Sequence, residues 1–325
     1  MRAAELEKEI LAINHSSDFE SVCMKVFRFQ FENVSVYQEY CRLINRTDPE
    51  NSAEIPFLPI QFFKSHNVLN QHYTFEKCFK SSGTSGSIRS KHHVPFLAWY
   101  EEVFTKIYSA YFGPIKDQVI LALLPNYLEQ GDASLVYMVD KLIKNTADNS
   151  SGFYLNNQQE LINKINALRN ESKSVVLFGV SYALLDLAEK KLDFSHVKVI
   201  ETGGMKGRRK ELVKEELHER LIKGLNLKFI ASEYGMTELM SQAYLKNDLW
   251  FEPPKWMKVR IREMNDPFSY LSDQRTGTVN VIDLANVYSC SFIATDDLGQ
   301  KKDEKFKILG RFDNSDIRGC NLLLD

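Results

Sequence analysis

The sequence predicts an α/β fold: mostly parallel sheets flanked by helices, followed by a C-terminal antiparallel β ribbon or small barrel. Three observations predict it. Residues 74 to about 233 alternate strand-like and helix-like segments, the rhythm of a sheet with helical crossovers. Residues 119–124 and 174–180 are continuous apolar runs, as in strands buried on both faces. After residue 255, four strand candidates follow one another with no helical pattern between them.

The elements follow in chain order. Residues near 4–13, 18–30 and 33–46 carry helical apolar spacing. Ile55-Pro56-Phe57-Leu58-Pro59 ends that pattern, because each proline removes a backbone donor and restricts its predecessor. A short strand is expected at 74–80. Phe96, Tyr100, Val103, Ile107 and Tyr111 then line one face of a helix. Helices are expected near 134–145, 158–169 and 183–191, and a charged amphipathic one at 208–223. Strands are expected at 197–201 and 227–231, and later at 256–262, 278–282, 290–295 and 306–309. This reading divides the chain into a helical segment, 1–70, packed on a main domain, 71–325. The main domain is α/β over 71–250 and β-rich over 251–325.

The 325 residues suffice for one large domain or two smaller ones. A formal net charge of -2 argues against a broad nucleic-acid footprint. The one basic run, Lys206–Lys210, is followed by Glu211, Glu215 and Glu216, which suits the solvated start of a helix. The N-terminal MRAAELEKEILAI lacks the apolar core of a signal peptide, and no stretch reaches the roughly 20 apolar residues of a membrane span. The cysteines at 23, 41, 78, 290 and 320 are odd in number and none form a CxxC pair, which suits free thiols in a reducing cytoplasm. A cytoplasmic protein is expected.

Four motifs carry chemistry. Ser81-Ser82-Gly83-Thr84-Ser85-Gly86-Ser87-Ile88-Arg89 lies between a strand and a helix. Its small residues let backbone approach a ligand, and its N–H and hydroxyl groups suit phosphate oxygens. Arg89 adds a fixed positive charge. A flexible Gly/Ser loop would have the same composition. Ser232-Glu233-Tyr234-Gly235-Met236-Thr237-Glu238 is expected directly after a strand, where α/β sheets bind ligands. There a tyrosine offers a flat face to a base, and a glutamate offers a hard oxygen to magnesium. Thr295-Asp296-Asp297-Leu298-Gly299 offers paired carboxylates for ribose hydroxyls or a cation, and equally suits a tight turn. Gly310-Arg311-Phe312-Asp313-Asn314 places an arginine just past a strand, within reach of a phosphate or ribose.

Each motif is ambiguous alone, but their order resembles that of the adenylate-forming superfamily of acyl-CoA synthetases, luciferases and peptide-synthetase adenylation domains. SSGTSGSIR is similar to the superfamily's SSGTTGxPK phosphate loop, and Gly203-Gly204 to its glycine-rich adenine-pocket strand end. SEYGMTE resembles YGxTE, TDDLG resembles TGDxG, and GRFDN resembles GRxDD. The resemblance spans about residues 75–325. Gly179-Val180-Ser181-Tyr182-Ala183-Leu184 is similar to a segment near the acyl pocket of phenylacetate-CoA ligases and acyl-protein synthetases. Leu124-Pro125-Asn126-Tyr127-Leu128-Glu129, Ser134–Met138 and Arg318-Gly319-Cys320-Asn321-Leu322 resemble the acyl-protein synthetase (LuxE-type) group.

The resemblance implies an ATP- and Mg2+-dependent ligase. A carboxylic acid, expected to be a fatty acid, becomes an acyl-AMP and passes to a cysteine thiol as a thioester. It implies that Ser81, Ser82, Gly83, Thr84, Ser85, Gly86 and Arg89 hold the β- and γ-phosphates. Gly203, Gly204 and Tyr234, with Gly235 and Thr237 in the same motif, frame the nucleotide. Glu238 binds magnesium, Asp297 the ribose hydroxyls, and Arg311 the ribose or α-phosphate. Ser181 and Tyr182 border the acid, and Cys320 accepts the acyl group. His66, His92, His93 and Arg318 are candidates to activate that thiol. Arg89 stands where the superfamily has lysine, and Asp296 where it has the glycine of TGD. The usual small C-terminal domain, source of an adenylation lysine and part of a CoA site, is expected to be missing, which favours transfer to a nearby thiol. The alternatives are an acyl-CoA or aryl-CoA ligase-like enzyme and a catalytically inactive nucleotide-binding homologue. The implied partners are the acid and an acyl-acceptor protein or reductase; a homo-oligomer stays open.

Overall fold

The computed structural model describes residues 2–82, 88–124, 131–203, 212–246 and 248–311. The chain divides into two compact units. One comprises residues 78–89 and 96–251; the other comprises 1–77, 90–95 and 252–325.

The first unit is built on a six-stranded sheet. Its strands lie in the spatial order Gly152–Phe153, Gln118–Leu123, Ser174–Val180, Val197–Thr202, Ala231–Tyr234 and Ala243–Leu245. All neighbours are parallel except the last pair. Every residue of Gln118–Leu123 is buried, which is why this strand reads as an unbroken apolar run rather than an alternating one. The helices Leu97–Phe112, Ser134–Lys144, Gln158–Ala167, Ser181–Ala188 and Lys214–Leu225 supply the intervening segments. Leu97–Phe112 buries Tyr100, Val103 and Ile107 of the expected face, together with Phe104 and Tyr108, whereas Phe96 precedes the helix and is exposed and Tyr111 is half-buried.

Two elements of this unit depart from the sequence reading. The charged helix begins at Lys214, with Val213 at its N-cap position, rather than at 208; the basic run 206–210 lies outside the described residues. The strand expected at 227–231 instead spans Ala231–Tyr234. Asn226 ends the preceding helix in the left-handed conformation (φ 52°), and the Leu227 N–H bonds the Ile222 carbonyl. This is a Schellman-type stop, and Leu227 is the buried apolar residue that accompanies it. The 227–230 stretch therefore closes a helix instead of forming a strand.

In the second unit, helices Ala3–Leu11, Ser16–Asn33 and Ser35–Leu43 accompany an open five-stranded sheet. Met257–Arg262, Gly277–Asp283, Phe292–Lys302 and Lys305–Arg311 pair antiparallel in sequence order, and Leu58–Pro59 joins Phe292–Lys302 in parallel. The expected ribbon is thus an open sheet, not a closed barrel. Its core stacks Tyr37 on Phe292 at 6.0 Å between ring centroids, with Phe27 edge-on to both. The buried Gln30 side chain donates to the Asn286 and Val287 carbonyls and accepts from the Ser291 N–H. It thereby meets backbone demands that an apolar residue would leave open.

TDDLG does not end a strand here. Thr295 through Gly299 lie inside Phe292–Lys302. The turn-forming residues mark an irregularity: register shifts at Leu298/Gly299 against one neighbour and at Thr278/Asn280 against the other. A β-bulge absorbs the local kink that these residues favour without breaking the strand.

Candidate active site

At the carboxyl ends of the parallel strands, three segments meet on one buried carboxylate. Glu201, the penultimate residue of Val197–Thr202, is 0% exposed. Its Oε1 lies 2.5 Å from Ser181 Oγ, at the start of the helix after Ser174–Val180. Its Oε2 accepts from Ser232 Oγ (2.7 Å) and from Lys214 Nζ (2.8 Å). Ser181 Oγ is also 2.7 Å from the Gly203 carbonyl, so its single proton is shared between two acceptors. His218 Nε2 lies 2.8 Å from Ser232 Oγ. With Ser232 donating to Glu201, His218 donates to Ser232. That is the reverse of a nucleophilic triad, in which the histidine takes the serine proton. The cluster is therefore a holding network and not a serine nucleophile.

The next turn of the same strand ends extends it. Thr202 and Glu233 are register partners, and Thr202 Oγ1 donates to Glu233 Oε2 (2.5 Å). The Glu233 carboxylate lies against Gly235: a Cβ built on Gly235 would fall 2.2 Å from Glu233 Oε1. Gly235 is therefore a glycine for close approach, since its φ is not positive.

These contacts set the charges. Burial alone would raise the Glu201 pKa, but the Lys214 charge and hydrogen bond, with both serine hydroxyls, hold it below the usual carboxylate value. Burial pushes Glu233 up to about 7, against the opposing Thr202 hydrogen bond, and the Glu201 charge adds to the rise. Burial lowers His218 to about 4, so it is neutral at physiological pH. A carboxyl raised on folding favours the folded state below its unfolded pKa, and that contribution is lost as pH rises towards 7. Glu233→Gln removes the cost of ionisation while its amide oxygen still accepts from Thr202. The variant should therefore equal wild type near pH 4.5. By pH 8 it should be more stable by roughly 1 kcal/mol, an allowance that discounts the half-exposed position of the side chain. Urea denaturation at the two pH values measures this.

The remaining SEYGMTE residues follow at once. Ser232, Glu233 and Tyr234 lie within the strand and not after it, which corrects the sequence reading. Tyr234 is buried and meets Phe251 at 5.7 Å between centroids. Thr237 is half-buried, and Glu238 is buried within the Met236–Leu239 turn. Among the described residues, no three His, Cys, Asp or Glu side chains group as a metal cage. One buried carboxylate is nevertheless the donor set magnesium uses beside phosphates, with water completing the shell.

At the base of the Ser/Gly segment, Arg89 forks Asp132, with Nη1 to Oδ2 at 3.1 Å and Nη2 to Oδ1 at 3.2 Å. It also donates from Nε to the Ser81 carbonyl and from Nη2 to the Lys80 carbonyl (3.3 Å). Lys80 Nζ reaches the same aspartate at 3.4 Å. Burial would raise the Asp132 pKa, and these cations hold it down. Ser81 is half-buried and Ser82 exposed; Gly83, Thr84, Ser85 and Gly86 lie outside the described residues, as does Gly204. Gly203 has φ +73°, the left-handed region that favours glycine. Tyr182 is buried next to Ser181.

Asp297 and Arg311 belong to the other unit, where they are directly opposite on antiparallel strands. Arg311 Nε is 3.5 Å from Asp297 Oδ1; the aspartate is buried, whereas the arginine side chain is 74% exposed. The neighbouring Asp296 accepts from Gln61 Nε2 at 2.8 Å. His92 is buried with Nε2 3.0 Å from Asn286 Oδ1, and His93 is lowered by burial. His66 stacks on Phe62 at 5.0 Å and lies 2.8 Å from Ser65 Oγ. Cys320 and Arg318 lie outside the described residues.

Sequence reasoning had no role for Glu201, Lys214 or Asp132. Glu201 carried one signal, an acid inside an otherwise apolar strand at its carboxyl end. Asp132 carried none.

The chain has the fold of solved adenylate-forming enzymes. ATP-bound MatB from Rhodopseudomonas palustris superposes with a TM-score of 0.54 at 15% identity, covering 72% of this chain and 47% of that one. O-succinylbenzoate coenzyme A synthetase (MenE) from Bacillus subtilis, in complex with ATP and magnesium, gives 0.52 at 17% identity, covering 72% and 49%. A long-chain-fatty-acid-CoA ligase (FadD1) from Archaeoglobus fulgidus gives 0.51 at 15%, covering 76% and 53%. The chain thus spans about half the length of these structures. The family described as "Acyl-protein synthetase, LuxE" matches residues 126–325. The chain belongs to that family. No curated protein matches it. No helix among the described residues is long and apolar enough to cross a membrane.

Proposed function

We propose that the protein uses ATP and Mg2+ to convert a carboxylic acid to an acyl-adenylate, and that Cys320 then takes the acyl group as a thioester. The observation that carries the reading is the contact between Ser181 and the Gly203 carbonyl, 22 positions apart. It joins the segment expected to border the acid to the strand end expected to border adenine. The acid carboxylate attacks the α-phosphorus, the bond to the bridging oxygen breaks, and pyrophosphate leaves. Ser81 to Gly86 and Arg89 hold the β- and γ-phosphates, and Gly203, Gly204 and Tyr234 frame adenine, with Gly235 and Thr237 also on the nucleotide. Asp297 takes the ribose hydroxyls, and Arg311 meets the charge that develops on phosphate. Magnesium, when bound, neutralises phosphate charge, and Glu238 is its protein ligand.

The thiol step needs a thiolate. Burial pushes Cys23 and Cys41 up to about 12 and drives Cys290 upward as well, so these three thiols stay protonated at neutral pH. That supports an acceptor elsewhere in the chain. The thiolate attacks the carbonyl carbon of the mixed anhydride, a thioester C–S bond forms, and AMP leaves. The acid is expected to be a fatty acid, with an acceptor protein or reductase beyond the thioester.

Two measurements test this. The protein should exchange pyrophosphate into ATP only when the correct acid is present. Radioactive acid plus ATP should label the protein, and hydroxylamine should release the label. Cys320→Ser should keep exchange and lose more than nine-tenths of the labelling, whereas Cys78→Ser should keep both. Full labelling of Cys320→Ser would remove Cys320 as the acceptor. Product release that depends on coenzyme A would favour an acyl-CoA ligase instead, and ATP binding without exchange would mark an inactive homologue.

A further inference from the structure

We infer that Glu201 is a positioning residue: its buried carboxylate, anchored by Lys214, fixes Ser181, Gly203 and Ser232, and so holds the ends of three parallel strands at one spacing. The inference rests on the adenylation reading for what those ends hold, and on the geometry for how they are held.

Three features set this carboxylate apart from an ordinary core acid. First, its partners come from three different chain segments. Ser181 starts the helix after Ser174–Val180, Ser232 lies in Ala231–Tyr234, and Lys214 opens the helix Lys214–Leu225. A group that only satisfied its own strand would not need all three. Second, Lys214 sits where helix electrostatics disfavour it. A helix N-terminus carries partial positive charge and prefers acids, and Glu215 and Glu216 follow that rule in the same turn. A lysine there gains nothing from the helix; its ion-pair partner is the buried Glu201, at 2.8 Å. Third, the chain of bonds stops next to the proposed ligand positions. Ser181 precedes Tyr182, Gly203 has the left-handed backbone that turns the strand end, and Ser232 precedes Glu233 and Tyr234. Displacing Glu201 would release all three ends together. A misplacement of about 1 Å in a reacting group can cost about a hundredfold in rate.

Glu233 reports on this hub without any substrate. The groups facing it are Thr202 and Glu201 from Val197–Thr202, Lys214 from the following helix and Tyr244 from the neighbouring strand; His218 lies beyond Ser232. The Glu201 charge raises the Glu233 pKa, and the Lys214 charge lowers it. Glu201→Gln keeps the shape, deletes the negative charge and leaves Lys214 unneutralised. Both changes move Glu233 towards ionisation at lower pH.

The test compares wild type, Glu201→Gln and the neutral pair Glu201→Gln/Lys214→Met. Each is checked for folding by thermal melting, for Glu233 titration by 13C-carboxyl NMR, and for acid-dependent pyrophosphate exchange. Glu201→Gln should titrate Glu233 at lower pH and lose roughly 10- to 100-fold in kcat for exchange. The double variant removes the unpaired cation and covers the case in which Glu201→Gln does not fold; it should also lose kcat, because a single amide oxygen cannot accept from both Ser181 and Ser232. A folded Glu201→Gln with kcat within twofold of wild type overturns the inference, whether or not Glu233 shifts. A wild-type protein that exchanges with no acid overturns the adenylation reading instead. In that case amide hydrogen exchange at Ser181, Gly203 and Ser232 decides the hub alone: faster exchange in Glu201→Gln upholds it, and unchanged exchange removes it.

Discussion

Lys214→Met is expected to destabilise the protein by about 3 kcal/mol, the largest single effect among the charged residues of the strand-end cluster. Removing one partner of a buried ion pair leaves the other charge without compensation, which costs about 3–5 kcal/mol. Glu201 has no exposure at all, whereas the Lys214 side chain retains 23%, so the lysine can reach water and the glutamate cannot. This asymmetry gives the order of effects. Lys214→Met strands a carboxylate in the core. Glu201→Gln strands only a cation that can turn outward, so it should cost less than half as much. The double variant Glu201→Gln/Lys214→Met should recover most of the Lys214→Met loss, because no buried charge remains. The sign with pH follows from the lowered pKa of Glu201. Its contribution is present above the unfolded value near 4.5 and is lost as pH falls through the folded value. The gap between wild type and Lys214→Met should therefore be widest at neutral pH and narrow under acid. Guanidinium midpoints at pH 7 and pH 4, with unchanged m values, would show this. Equal stability of Lys214→Met and wild type at pH 7 would mean that Glu201 takes up a proton at no cost, and the ion pair would lose its role.

The same cluster shows what could be read from sequence. The parallel strands were legible because their signal is local: 119–124 and 174–180 are apolar along their whole length and need no knowledge of neighbours. The resemblance of the ordered motifs to the adenylate-forming superfamily was legible for the same reason. Ala231–Tyr234 was not, because a strand carrying Ser232 and Glu233 looks like a loop until Glu201 and Thr202, 31 positions earlier, satisfy those polar groups. Asp296 and Asp297 misled in the same way. Asp-Asp-Leu-Gly has good turn chemistry, but Arg311 and Gln61 take up the two carboxylates from outside, and the chain stays extended through a bulge. At the site, Ser181 and Gly203 lie in contact, but the residues that hold them were hidden. Ser181 and Gly203 could be named from the motifs, whereas Glu201 and Lys214 matter only through contacts made across the sheet.

Gly224→Ala is expected to destabilise the protein by about 2 kcal/mol, although helix propensity alone predicts the opposite sign. Gly224 lies in the last turn of Lys214–Leu225, where alanine would be favoured by up to about 1 kcal/mol. Packing reverses this. A Cβ on Gly224 would fall 2.5 Å from the Ala188 carbonyl oxygen and 2.6 Å from the Ala188 Cβ, at the end of the helix Ser181–Ala188. The obstructing oxygen is backbone, so no rotamer change relieves it and the two helices must move apart. Overpacking of this kind costs about 1–3 kcal/mol, and a rigid backbone neighbour puts it at the upper end. Subtracting the propensity gain leaves about 2 kcal/mol. Ala188→Gly in the Gly224→Ala background removes the Cβ contact but not the carbonyl contact, so it should recover less than half of the loss. Urea midpoints of the three proteins measure both numbers. A more stable Gly224→Ala would show that the helices separate freely. The stakes then extend to the site, because the helix carrying Gly224 also carries Lys214 and the helix carrying Ala188 begins at Ser181. Forcing these two helices apart at one end should loosen the grip of Lys214 and Ser181 on Glu201 at the other. Gly224→Ala should therefore also raise the Glu233 titration sensitivity to salt, as water and ions gain further access to the half-buried Glu233 and the buried Glu201 beside it.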